Sequence, residues 1–401
     1  MQFFGVVPIL LTISIMATEF ATGLYLPSLP LIGAFFGVSD EVVSPTVSLN
    51  LLGLALSGPF YGPLSDSYGR RPVLLGGMFL FVFGSFLCLF HHSLTFLMVA
   101  RFIQGLGEGV AAVLSLATIK DIYDEEECSQ VYSIMDMGIV LIPAIAPIIG
   151  GFISGAYGWH TNFYVMLTIS LCAWGVLLMK FPETHEKQYR HRFSTRILIK
   201  TYTKLARNQD FIGNAVVSGL VFGGLWVFIS GAPYLFVEQL NVSVTQYSYY
   251  SSMGVLTYIL GSWLNSVWVE SLGVKRLLSM GLYAMSGAAL LLIFIAWIMP
   301  HSPFMIALTA ALYTGPMAFV FVNTGTRAMQ ALPDFTGYSA ALLLAFEMGI
   351  SGLSAEMTGY IYENSFMPLA LLMAGHAFLS LLIFFFLERQ KSQKLKTGLS
   401  A

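Results

Sequence analysis

Runs of about twenty apolar residues, each closed by a short polar cluster, repeat along the whole chain. They cover Phe3–Leu26, Val42–Leu64, Val73–Phe90, Leu94–Ile119, Ser129–Ser154, Asn162–Phe181, Phe211–Phe236, Tyr247–Val269, Leu277–Met299, Pro303–Thr326, Gly337–Ile361 and Phe366–Leu387. The runs are continuous rather than alternating, so each predicts a helix across a hydrocarbon core and not a barrel strand. The pattern therefore predicts an all-α membrane protein with twelve transmembrane helices. The first run lacks a basic leader and a small-residue cleavage site, and reads as a retained helix rather than a signal peptide.

Positive charge is one-sided. Numbering the loops from the N-terminus, Lys and Arg fall in even-numbered loops and the C-terminal tail: Arg70 and Arg71; Lys120; Lys180 to Arg207; Lys275 and Arg276; Arg389 to Lys396. Odd-numbered loops carry Asp40, Glu41, Glu238 and Glu363 instead. Arg101 and Arg327 lie within or at the end of a span. This bias predicts that both termini are cytoplasmic. The longest charged loop falls near mid-chain and predicts a division into an amino-terminal six-helix half (1–181), a cytoplasmic linker (182–210), a second six-helix half (211–388) and a tail (389–401). The halves echo each other at an offset of 204: Asp66-Ser67-Tyr68-Gly69-Arg70-Arg71 aligns with Glu270-Ser271-Leu272-Gly273-Val274-Lys275, and Leu74 and Gly77 align with Leu278 and Gly281. Parallel repeats of this kind place a substrate site between the halves.

Composition supports the membrane reading. Apolar residues make up 56% of the 401 and charged residues 10%, against roughly 25% charged in a soluble domain. A soluble enzyme, a disordered chain and a nucleic-acid binder are excluded, the last because the net charge is −2 and leaves no basic footprint. Cys88, Cys128 and Cys172 are too scattered for a disulfide framework or a metal site. No cofactor or metal is expected; the expected partners are the lipid bilayer, a small molecule and the proton, and the chain is expected to be a monomer.

Ionisable residues inside apolar runs carry the candidate chemistry, because each is costly unless protonated, paired or wetted. Arg101, Gln104 and Glu108 share one face of the fourth helix. Glu19 lies inside the first span at a depth similar to that of Arg101. Glu108 and Asp136 fall in the inner half of the first six helices, while Glu347 and Glu356 fall in the eleventh, Glu356 towards the rim. Gly62 and Gly69 suit a close approach and a tight turn. Asp66 can pair with Arg70, and Asp121 can hold Arg70 from the fourth helix. Pro147 with Gly150 and Gly151 predicts a bent, closely packed fifth helix. Phe20, Tyr25, Tyr132, Trp226, Tyr234 and Tyr258 are candidate cavity walls, joined by Gln104 and Glu347. Ser351 within Gly349-Ile350-Ser351-Gly352, with His376 on the next helix, leaves an intramembrane serine protease as a remote alternative.

The loop Gly62 to Arg71 matches every specified position of G-x-L-x-D-x-x-G-R-R, and the chain thereby resembles the major facilitator superfamily. Arg101, Gln104 and Gly105 match the R-x-x-Q-G of its proton-coupled drug exporters. Glu19 to Pro27 resembles the bicyclomycin/chloramphenicol-resistance type, with Gly23 where that group commonly has an acid. Gly138, Pro143, Ala146, Pro147, Gly150 and Gly151 resemble its antiporter motif, with Ala146 in place of a glycine. The resemblance implies a drug/proton antiporter of a bacterial inner membrane. It assigns proton coupling to Glu19, Arg101, Glu108 and Asp136, and a conformational latch to Gly62, Asp66, Gly69, Arg70, Arg71 and Asp121. Proton-coupled uptake or export of a specific metabolite or iron chelate is the alternative; the proline–glycine motif argues against uptake.

Overall fold

The computed structural model describes residues 5–123, 131, 135, 139, 142–185, 187–190, 193–332, 336–362 and 365–396. Asp136, Tyr132, Gly138 and Cys128 lie outside them. The helices are α1 (Val6–Tyr25), continued through a 3-10 turn (Leu26–Ser28) into α2 (Leu29–Phe36), then α3 (Asp40–Val43), α4 (Pro45–Tyr68), α5 (Arg70–Leu87), α6 (Leu94–Ile122), α7 (Ile142–Tyr157) and α8 (His160–Lys180). After them come α9 (Thr195–Arg207), α10 (Gln209–Pro233) with a π turn (Tyr234–Gln239), α11 (Val244–Leu272), α12 (Val274–Ile298), α13 (Pro303–Gln330), α14 (Thr336–Ile361) and α15 (Phe366–Lys396).

Each of the twelve apolar runs holds a helix. Among the described residues, ten stretches are long and apolar enough to cross a membrane. The other two runs hold α7, whose described part is short, and α11, whose hydropathy is diluted by the Tyr- and Ser-rich stretch 247–252. Two features differ from the sequence reading. The first span does not stop at Leu26: Pro27 and Pro30 redirect the helix without ending it, because prolines in a first turn cost no hydrogen bond. The mid-chain loop is not a plain linker: Ser194 caps α9, accepting from the Ile197 amide at 3.4 Å, and Leu198, Thr201 and Leu205 are buried beneath that helix.

The sequence echo has a backbone counterpart. Gly69 and Gly273, at the offset of 204, both adopt positive φ (102° and 77°) and separate α4 from α5 and α11 from α12. Only glycine takes that conformation readily. Helix α6 packs against α1, α4 and α5; α7 and α8 pack against α1; and α13 packs against α10, α11 and α12. Across the sequence midpoint α4 lies along α14 and α7 along α11. In oil, close backbone approach replaces the hydrophobic effect as the force between helices. At the α4–α6 crossing, Gly53 and Gly105 face each other's backbones: a Cβ on Gly53 would lie 2.5 Å from the Phe102 carbonyl, and one on Gly105 would overlap the Asn50 carbonyl. Gly62 is not such a point, since its nearest neighbour would be a Val113 methyl at 3.8 Å.

Candidate functional site

Four membrane helices, α1, α4, α5 and α6, converge on one polar cluster. Arg101 on α6 is 1% exposed. Its guanidinium donates to the Gln104 amide oxygen and to the Thr46 carbonyl (3.3 Å), and stacks over the Tyr25 ring at 4.3 Å. The Tyr25 hydroxyl donates to Thr46 Oγ1 at 2.5 Å, and the Gln104 amide donates to Ser85 at 2.8 Å. Among the described residues no carboxylate lies within ion-pair distance of Arg101, and its Nη2 has no hydrogen-bond partner. A buried cation held only by dipoles and one aromatic face is expensive, so it needs negative charge nearby.

Two turns along α6, Glu108 supplies that charge. It accepts from the Thr22 hydroxyl at 2.9 Å, lies against Asn50, and is within electrostatic reach of both Arg101 and Glu19. Asn50 in turn donates to the Arg101 carbonyl at 3.1 Å. Glu19, one turn before Thr22 on α1, keeps accessible surface and is within electrostatic reach of Glu108 on α6. An acid that keeps accessible surface while reaching towards a neighbouring helix is placed to line a crevice between helices. The order from the basic end of the bundle is thus Glu19, Glu108, Arg101. Gly23, where the resembling group commonly carries an acid, has no room for a side chain here: its Cβ would lie 2.6 Å from that of Ala146.

Several candidate wall residues have other places. Tyr25 and Gln104 are buried and hold Arg101, so they form its cage rather than a cavity surface. Trp226 and Tyr234 are buried in the core, whereas Phe20 and Tyr258 keep partly accessible surface. Glu347 is buried between α14 and α10, accepting from Ser218 at 2.6 Å. Glu356 is not simply a rim residue, because it accepts from Ser48 at 2.5 Å across the α4–α14 seam. The protease reading loses its dyad: Ser351 donates to the Glu347 carbonyl at 2.6 Å, and the His376 Nε2 instead meets Ser354 at 2.8 Å.

At the basic end, Arg70 is 5% exposed and joins three helices. Its Nε meets Asp121 at 2.8 Å and its Nη1 meets Asp66 at 2.6 Å and Ser65 at 2.5 Å. Glu183, just past α8, accepts from the Arg70 amide at 2.9 Å and pairs with Arg190 at 3.0 Å, placing a carboxylate at the α5 N-terminus, where the helix dipole favours it. Arg71 donates to the Leu178 carbonyl at 2.9 Å. Substituting Asp121 with Ala leaves a buried guanidinium half-matched. The apparent Tm in detergent should fall by about 5 °C; unchanged melting would show that Asp66 alone suffices.

Sequence reasoning missed three features. Glu388 on α15 binds Lys275 and Arg327, each at 2.5 Å, closing a second charge knot whose members are far apart in the chain. Asn162 on α8 donates to the Leu24 and Gly150 carbonyls (3.1 Å each) and meets Ser28 and Ser154, tying α1, α7 and α8 together. Gly150 admits the Leu24 backbone, and Gly151 admits Ser248 of α11. The third feature is Tyr202 on α9. Pro63 has no amide to give the Pro59 carbonyl one turn before it, and the Tyr202 hydroxyl donates to that carbonyl at 2.7 Å while its ring packs on Tyr338 of α14. Burial, then the neighbouring Tyr338, push the Tyr202 phenol above its ordinary range, keeping it a donor.

Comparison with known proteins gives one consistent result. The family model of the Major Facilitator Superfamily matches residues 11–355. A bicyclomycin resistance protein homolog of Haemophilus influenzae is 27% identical over 382 residues, covering 95% of each chain. Multidrug resistance protein D of Escherichia coli is 26% identical over 369 residues, covering 91% of each. The xylose transporter XylE from E. coli, in a partially occluded inward-open conformation, superposes with a TM-score of 0.73 at 14% identity, covering 94% of this chain and 96% of that one.

Proposed function

Because the chain belongs to the Major Facilitator Superfamily, we propose that it is a proton-coupled secondary transporter exporting small apolar or cationic compounds by alternating access between two six-helix halves. The observation that carries this reading is Glu19, accessible yet one turn from the Thr22–Glu108 contact and beneath a buried Arg101. The names of the two relatives, bicyclomycin resistance and multidrug resistance, favour export of drugs.

The basic end is cytoplasmic on this reading, and the protein sits in a bacterial inner membrane. At the opposite end the seam is closed: Ser48 meets Glu356, a Cβ on Gly359 would touch Ser44, the turn Leu26–Ser28 packs on α10, and α2 packs on the π turn. The crevice that reaches Glu19 then opens to the cytoplasm. Substrate enters there and displaces a proton from Glu19. Charge balance against the single cation Arg101 is met by one ionised carboxylate, so Glu19 and Glu108 together hold one exchangeable proton. The halves rock about α4–α14 and α7–α11, the outer contacts part, and external protons return Glu19 to its neutral form as substrate leaves. Asp66, Arg70 and Asp121 hold the cytoplasmic ends of α4, α5 and α6 as one rigid piece during this movement. Asp136 belongs to the proposed proton-handling set by its sequence position.

In a pump-deficient host the protein should lower accumulation of bicyclomycin or chloramphenicol, and a protonophore should abolish the effect. Accumulation of substrate inside right-side-out vesicles under an inward proton gradient would replace export with uptake.

A further inference from the structure

The outward face of α9 has no role in the transport cycle described above, yet it is built unlike an ordinary surface. Arg196, Lys200, Lys204 and Arg207 fall within one narrow arc of the helix, and the segment 193–209 contains no acid. The opposite arc, with Leu198 and Leu205, is buried. On either flank of the basic arc, Ile197 and Ile199 are 59% and 65% exposed. A helix bathed in water gains nothing from such flanks, but one lying in a membrane interface buries them among acyl chains. The next residue after α9, Asn208, caps α10, a membrane-spanning helix, by accepting from the Phe211 amide at 2.9 Å. The C-terminal turn of α9 therefore stands at headgroup level.

At that turn there is an open groove of about 570 Å³, lined among the described residues by Lys200, Thr203, Lys204, Arg207, Asn208 and Leu332. Three cations, a hydroxyl, an amide and one apolar side chain match a phosphate with a hydrocarbon tail attached. We propose that this groove binds the phosphate of an anionic membrane lipid in the cytoplasmic leaflet, with Lys200, Lys204 and Arg207 holding the headgroup and Leu332 meeting the start of the acyl chain. Because α9 also carries Tyr202, which bridges α4 and α14, lipid seated here holds the linker against both halves.

The test uses full-length protein in a neutral detergent, titrated with phosphatidylglycerol or phosphatidylcholine and read by native mass spectrometry. Phosphatidylglycerol should bind more tightly than phosphatidylcholine. A triple variant, Lys200→Gln, Lys204→Gln and Arg207→Gln, should lose about 100-fold in that affinity, since each cation at an anionic surface contributes about fivefold. Lys180→Gln, which removes an exposed charge from the same end of the bundle, should leave binding unchanged. Melting curves of the triple variant should stay close to the parent, because the altered side chains lie on the exposed face of α9. Equal binding of the two lipids, or a triple variant that still prefers phosphatidylglycerol, overturns the proposal. Displacement by millimolar inorganic phosphate overturns its assignment to a lipid.

Discussion

Glu19→Gln should abolish coupled export while leaving the protein folded. The side chain keeps accessible surface and, among the described residues, makes no hydrogen bond that glutamine would lose, so melting should be unaffected. For a neutral substrate exchanged for one proton, a potential of 100 mV is equivalent to about 2.3 kcal/mol and sustains a gradient of about 50-fold. In the variant that ratio should fall to about one, and substrate should no longer trigger proton release from liposomes. Glu108→Gln keeps an acceptor for Thr22 and should lower the gradient without erasing it. Full substrate-induced proton release by Glu19→Gln would remove Glu19 from the coupling role and transfer the proton to Glu108 or Asp136.

Gly105→Ala should be among the most destructive single methyls at the described glycines. The added carbon would overlap the Asn50 carbonyl of α4, and a backbone cannot rotate aside as a side chain can. Overpacking of this sort costs about 1–3 kcal/mol even where side chains relax, and here it also displaces the two residues that cradle Arg101, Gln104 and Asn50. Little folded protein should survive extraction. Gly53→Ala meets the Phe102 carbonyl from the other side and should behave alike. Gly62→Ala is the contrast: it lies in the loop motif, but its new methyl would make an ordinary 3.8 Å contact with Val113. Normal yield and melting of Gly105→Ala would show that α4 and α6 are not held at this crossing.

These two predictions also mark what was readable in the chain. The span count, the repeat and the ionisable cluster were legible because oil makes each departure from apolarity costly, so Glu19, Arg101 and Glu108 stand out against their surroundings. The two turn glycines, Gly69 and Gly273, were legible as a pair through their spacing. Packing partners were not. Nothing in the local pattern distinguishes Gly53 from Gly62, because the difference is which helix stands opposite. Tyr25 and Gln104 looked like cavity walls, and only the position of Thr46 and Ser85 turns them inward on Arg101. Glu388 gave no hint of Lys275 and Arg327, since the knot joins three helices. The linker helix was closer to legible: Leu198, Tyr202 and Leu205 recur at helical spacing among the cations.

The carbonyl that receives Tyr202 is vacant only because residue 63 is proline. Any other residue there would give that carbonyl an amide of its own, and the Tyr202 hydroxyl would become a second, competing donor without a single change in the linker. A motif position that looks like a bend in a membrane helix thus works as a mooring for a segment nearly 140 residues downstream.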